Sequence, residues 1–131
     1  MITAVDTSTL LDVFTADARY LLGSQDALRK AMQEGRLILC EVVLAELRPC
    51  FKKRSALLDA LEKLDVDFQP VSMQAALLAG EVWKRYRQSG GKREHLIPDF
   101  LVAAHAMDSA DRLLTRDRGF YRRWFRGLKL I

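Results

Sequence analysis

Four acidic residues stand where phosphodiester chemistry could use them. Asp6 directly follows the apolar run Ile2-Thr3-Ala4-Val5, and Asp117 stands just beyond Leu113-Leu114-Thr115. Asp99 follows Pro98 after a polar, glycine-bearing loop, and Glu46 is embedded in Val42-Val43-Leu44-Ala45-Glu46-Leu47. Carboxylates gathered without a Lys or Arg repel one another unless a cation lies among them. Hard oxygen donors suit Mg²⁺ or Mn²⁺, which keep several waters and bind through a few carboxylates plus substrate phosphate. Such an ion activates water and stabilises the charge of phosphodiester cleavage. Together, the four acids would serve metal-assisted hydrolysis.

Each acid also has a plainer reading. Asp6 and Asp99 suit helix N-termini, where an anion complements the dipole. Asp117 suits a turn through residues 115–119. A carboxylate among Val and Leu, as at Glu46, needs a partner, which Arg48 or solvent would supply. Position in the fold has to separate these readings.

Short β-type runs occur at Ile2–Val5, Leu37–Cys40, Val66–Phe68, Arg112–Thr115 and Leu128–Ile131. Helical patterns lie between them. The first is capped by Thr7 or Ser8 and runs through Phe14, and the second spans about Ala16 to Glu34 with Gly35 as its stop. Glu41–Arg48 ends at Pro49, and Lys52–Leu64 carries a leucine stripe. Ser72 caps a helix reaching Gln88, and Pro98 sits in the first turn of a helix continuing through Asp99–Ser109. This alternation predicts βαβ crossovers, a mostly parallel sheet and helices on both faces. Ligands of such sheets gather outside the carboxyl ends of the strands. Asp6 and Asp117 fall there, and the side chain of Glu46 tilts toward its helix N-terminus and so toward the same rim.

Ser8 and Thr115 are placed to hydrogen-bond metal ligands or waters. Asp12 stands behind them or faces solvent. His95 is loop-borne and within reach of a substrate, with nothing in the sequence to orient it. His105 reads as a packed helix histidine, and Trp83 and Trp124 as core or interface.

The 131 residues are one domain's worth, and with 50% apolar residues they can bury a core. The formal net charge is +4. It is uneven: residues 111–131 hold seven basic residues against two acids, on an otherwise near-neutral chain. A basic end suggests a polyanion partner. No apolar run approaches membrane-spanning length and no signal-peptide pattern opens the chain. Cys40 and Cys50 lack the spacing of a zinc site and read as reduced thiols. The expected compartment is the cytoplasm.

Taken in order, four motifs match one family: Val5-Asp6-Thr7-Ser8-Thr9-Leu10-Leu11-Asp12, Val43-Leu44-Ala45-Glu46-Leu47, Ile97-Pro98-Asp99-Phe100-Leu101-Val102-Ala103-Ala104-His105-Ala106 and Leu113-Leu114-Thr115-Arg116-Asp117-Arg118-Gly119-Phe120. The chain resembles PIN-domain ribonucleases, specifically VapC-type toxins of bacterial VapBC toxin–antitoxin pairs. The resemblance implies a single PIN domain over residues 1–131, a three-layer α/β/α sandwich around a five-stranded parallel sheet. It implies that Asp6, Glu46, Asp99 and Asp117 hold one or two Mg²⁺ or Mn²⁺ ions and position the attacking water, with Thr115 supporting them. It further implies endoribonuclease activity on structured RNA (tRNA or rRNA), inhibition by a cognate antitoxin, and a homodimer. Arg116 and Arg118 would contact RNA phosphates.

Other readings remain open at this level. A non-catalytic PIN scaffold would keep the fold without the chemistry. A haloacid-dehalogenase-type phosphatase also opens with a strand and an Asp, but needs a second Asp where this chain has Ser8. A receiver domain wants paired acids after the first strand and a late Lys, which the segment around 112–117 lacks.

Overall fold

The computed structural model describes all residues from Met1 to Ile131. Elements follow the order β1 (Ile2–Val5), α1 (Thr7–Phe14), α2 (Leu21–Glu34), β2 (Arg36–Leu39), α3 (Glu41–Leu47), a short 3₁₀ turn at Arg48–Cys50, and α4 (Arg54–Lys63). Then come β3 (Val66–Phe68), α5 (Met73–Gln88), α6 (Ile97–Ser109), β4 (Arg112–Leu114) and α7 (Arg118–Trp124). The sheet order is β3-β2-β1-β4, and every neighbouring pair is parallel. β1, β2 and β4 are almost wholly buried, which explains why they read as short apolar runs rather than alternating ones. Helices cover the sheet, and α5 packs along α6.

Local signals position these elements. Ser72 caps α5, its Oγ accepting from the backbone N–H of Ala75 at 3.0 Å. Pro98 occupies the first turn of α6, where a missing N–H costs nothing. Gly35 joins α2 to β2 with φ +155°, and a Cβ there would lie 1.9 Å from the Met1 carbonyl oxygen. Only glycine lets β2 enter that close beside the N-terminus, where Arg36 N–H donates to Met1 O at 2.9 Å.

Three expectations are corrected. The sheet has four strands, not five. Leu128–Ile131 runs beside β4 and exchanges backbone bonds with Leu113, but only Leu113 and Leu130 stand in bridge register. β4 is three residues long, and its outer edge forms this one bridge and not a ladder. The cap of α1 is Asp6 rather than Thr7 or Ser8. α2 begins at Leu21, not near Ala16, because Ala16 adopts φ +50° and the Asp17 carboxylate captures the N–H groups of Arg19 and Tyr20. That side-chain turn competes with helix. No helix is long and apolar enough to cross a membrane.

Candidate active site at the carboxyl edge of the sheet

β1 and β4 lie side by side with Val5 opposite Leu114, so the residues that leave these strands emerge together. Asp6 N–H still bonds Leu114 O at 3.0 Å. Across the gap, Thr115 Oγ1 donates to Asp6 Oδ2 at 2.7 Å. The same oxygen accepts from the backbone N–H of Asp117 at 3.0 Å. One hydroxyl therefore couples the first acid to the last. Asp6 Oδ1 accepts from Thr7 N–H at 2.8 Å, and the buried Tyr121 phenol lies 3.4 Å from Oδ2. Burial raises the Asp6 pKa, its hydrogen bonds oppose this, and the charge of Glu46 adds to the rise.

Glu46 lies on an exposed part of α3 and accepts from Thr7 Oγ1 at 2.7 Å. Arg48 is not its partner: that guanidinium donates to Phe51 O at 2.8 Å. Asp99, in the first turn of α6, has its pKa pushed to about 6, first by burial. His95 opposes the shift, while Asp6 and Glu46 reinforce it. Acids from β1, α3 and α6 thus share one electrostatic neighbourhood. Tyr121 is held far above its ordinary value by burial and then by Asp6, Asp99 and Asp117, which brings the fourth acid into the same neighbourhood.

Asp117 is exposed at the N-terminus of α7, and its Oδ2 lies 2.8 Å from His95 Nε2. The imidazole stacks on Phe120 at 3.7 Å and 6°, with Tyr86 edge-on at 6.3 Å. The Tyr86 hydroxyl donates to Lys92 O, and Gly91 sits so close to the ring that a Cβ would come within 2.4 Å of it. This clasp orients a histidine that the sequence leaves free. Its partners are an aromatic and an acid on a distant element, and neither leaves a local signal.

Other expected residues fall elsewhere. The Ser8 hydroxyl is buried without a partner and touches none of the four acids. Thr7 takes the role expected of it, because the neighbouring helix position projects in a different direction. Arg116 Nε and Nη2 lie 2.6 and 3.0 Å from the Asp12 carboxylate, and its guanidinium lies 3.8 Å above the Tyr20 ring. Asp12, only 2% exposed, also accepts from Ser24 Oγ at 2.6 Å. The Arg116 guanidinium is therefore held against α1 and α2 rather than presented as a free cation. Arg118 is exposed and lines a cleft of about 430 Å³ with Arg19, Tyr20, Thr115 and Arg116.

No Lys or Arg pairs with Asp6, Glu46, Asp99 or Asp117. As the side chains stand, no three or more His, Cys, Asp or Glu are grouped closely enough to hold a metal ion. By donor chemistry the set fits a hard divalent cation: carboxylate oxygens from four segments, Asp6 buried, Asp99 half-buried and Glu46 and Asp117 exposed, with no Lys or Arg paired to them.

A profile of the PIN domain matches residues 3–124. A search of curated proteins finds no match. Among solved structures, the chain is similar to VapBC2 from Rickettsia felis bound to a promoter DNA fragment, at 20% identity and TM-score 0.74, covering 100% of this chain and 98% of that one. VapBC-1 from nontypeable Haemophilus influenzae matches at 18% identity and TM-score 0.74, covering 100% and 97%. Mycobacterium tuberculosis VapC20, described as a sarcin-ricin-loop-cleaving toxin, matches at 18% and TM-score 0.65, covering 97% and 98%. At such identities the likeness concerns the fold.

Proposed function

This chain belongs to the PIN domain family, and from that premise we propose that it is a metal-dependent endoribonuclease, the toxin of a toxin–antitoxin pair. One observation carries the reading. Asp6 and Glu46 both raise the pKa of Asp99, Thr115 joins the Asp6 carboxylate to the Asp117 backbone, and no Lys or Arg pairs with any of the four acids. A scaffold has no use for such repulsion; a cation site does.

A bound Mg²⁺ or Mn²⁺ supplies water activation and charge stabilisation at the scissile phosphate. The chain's own residues do the rest. Asp6, Glu46, Asp99 and Asp117 hold the ion. Thr115 fixes the Asp6 carboxylate and the backbone of Asp117 through one hydroxyl, and Thr7 does the same for Glu46. Burial of Asp6 and Tyr121 keeps bulk water from behind the acids, strengthening their field at the phosphate.

The substrate class is structured RNA, tRNA or rRNA, in keeping with the name of the sarcin-ricin-loop-cleaving relative in fold. The partner is an antitoxin, as in the VapBC complexes of similar fold. Residues 1–131 act as one domain, as a homodimer in the cytoplasm.

Purified protein incubated with folded tRNA or rRNA tests this. Cleavage should vanish in EDTA, return with Mg²⁺ or Mn²⁺, and stop when the antitoxin is added. Full cleavage in EDTA by nuclease-free protein would overturn the metal reading, and no cleavage of any folded RNA would favour a scaffold.

A further inference from the structure

Two basic clefts flank the segment around Asp117. The first is lined by Arg19, Thr115, Arg116 and Arg118, and its Arg116 guanidinium is tied to Asp12. The second is reached through His95, which contacts Asp117. It measures about 530 Å³, and Trp83, Arg87, Lys92 and Arg93 line it with His95. None of these three cations forms an ion pair, and no acidic side chain lines the cleft. Glu94, the one acid in the loop, is not among its lining residues.

Three cations without carboxylate partners thus stand in one concavity beside the acidic site, whereas Arg36 is paired with Asp67 and Arg112 with Glu34. The frame is also rigid. Gly91 packs against the Tyr86 ring and the Tyr86 hydroxyl anchors the loop at Lys92, so the exposed side chains of Lys92 and Arg93 project from fixed backbone. Arg87 lies 5.0 Å over the Trp83 ring, providing a planar surface. Cations that follow a backbone beside an aromatic plane are what single-stranded nucleic acid binds, by phosphate pairing and base stacking.

We propose that the Trp83–Arg87–Lys92–Arg93 cleft binds the single-stranded RNA segment flanking the scissile phosphodiester. Lys92 and Arg93 pair with its phosphates, and the Arg87–Trp83 surface receives a base. This rests on the ribonuclease reading and places its principal phosphate contacts on the α5–α6 loop rather than at Arg116.

Fluorescence anisotropy of a labelled single-stranded RNA oligonucleotide, titrated with the full chain in EDTA over a range of salt, tests it. A K92A/R93A variant should bind at least tenfold more weakly at 0.1 M salt. Its log–log salt slope should be shallower by about 1.4, the loss of two single-strand phosphate contacts. An R29A/K30A variant, which removes the same charge from α2, separates local contact from net charge and should change little. W83A should weaken binding with the slope retained. In Mn²⁺ with folded RNA, K92A/R93A should raise KM and leave kcat nearly unchanged.

K92A/R93A matching R29A/K30A in affinity and slope would overturn the cleft assignment while wild-type cleavage left the ribonuclease reading standing. RNA that binds with the expected slopes but is never cleaved would overturn the ribonuclease reading and keep the cleft. Wild-type protein that binds no RNA would overturn both.

Discussion

His95 and Asp117 form a two-point clamp on a single helix end: Nε2 lies 2.8 Å from Asp117 Oδ2, and the ring stacks on Phe120, three positions further along the chain. With the carboxylate accepting, Nε2 carries the hydrogen. Asp117 is exposed, so without this contact its side chain would be free to rotate.

His95→Ala should therefore weaken Mn²⁺ binding by roughly 10–100-fold, the usual cost of losing a group that orients a metal ligand. His95→Gln, which keeps an N–H donor, should recover part of the loss. Isothermal titration with Mn²⁺ measures both. Equal affinity in wild type and His95→Ala would show that Asp117 needs no orienting.

Thr115→Val preserves shape but removes the hydroxyl shared by Asp6 and Asp117 N–H. Both groups sit in a site where water replaces the bond poorly. The fold should lose about 1–3 kcal/mol in denaturant titration, and cleavage should drop further than that loss explains. Thr115→Ser should restore both.

For Arg116 the expected defect is one of stability. Arg116→Ala leaves the buried Asp12 carboxylate without its ion-pair partner, so the melting temperature should fall. Adding Asp12→Asn should recover a good part of it, because the stranded charge is gone. The salt dependence of RNA binding should stay close to wild type. A shallower slope with unchanged melting would place Arg116 on phosphate instead.

Asp99 sets a pH dependence of known sign. Its folded pKa, about 6, lies above the ordinary carboxylate value, so the folded protein holds the proton more tightly than the unfolded chain. That contribution favours the metal-free fold at low pH and is lost as pH rises through about 6. Asp99→Asn removes it. In EDTA at pH 7 the variant should melt at the same or a higher temperature than wild type, and the gap should close toward pH 4. Added Mn²⁺ should stabilise wild type more than the variant. A variant that melts lower in EDTA at pH 7 would make Asp99 a structural acid.

Local physics made much of this protein readable from its residues. Asp6 follows β1 and Asp99 follows Pro98 in the chain itself, and the alternation of apolar runs with helical periods specifies a parallel α/β sheet. Ser72, Pro98 and Gly35 mark helix ends because caps and φ limits act within a few residues. The Leu128–Ile131 run has the composition of a strand, yet pairing depends on a partner, and the short β4 offers one bridge. Thr7 and Ser8 are interchangeable as sequence, and only the approach of α3 decides which hydroxyl meets Glu46. The same holds for Arg116, whose partner lies 104 positions away, and for His95, which Phe120 and Asp117 orient across the fold. Spacing and propensity act along the chain; which charges and rings meet is decided by how helices and strands pack, and that exists only in the folded state.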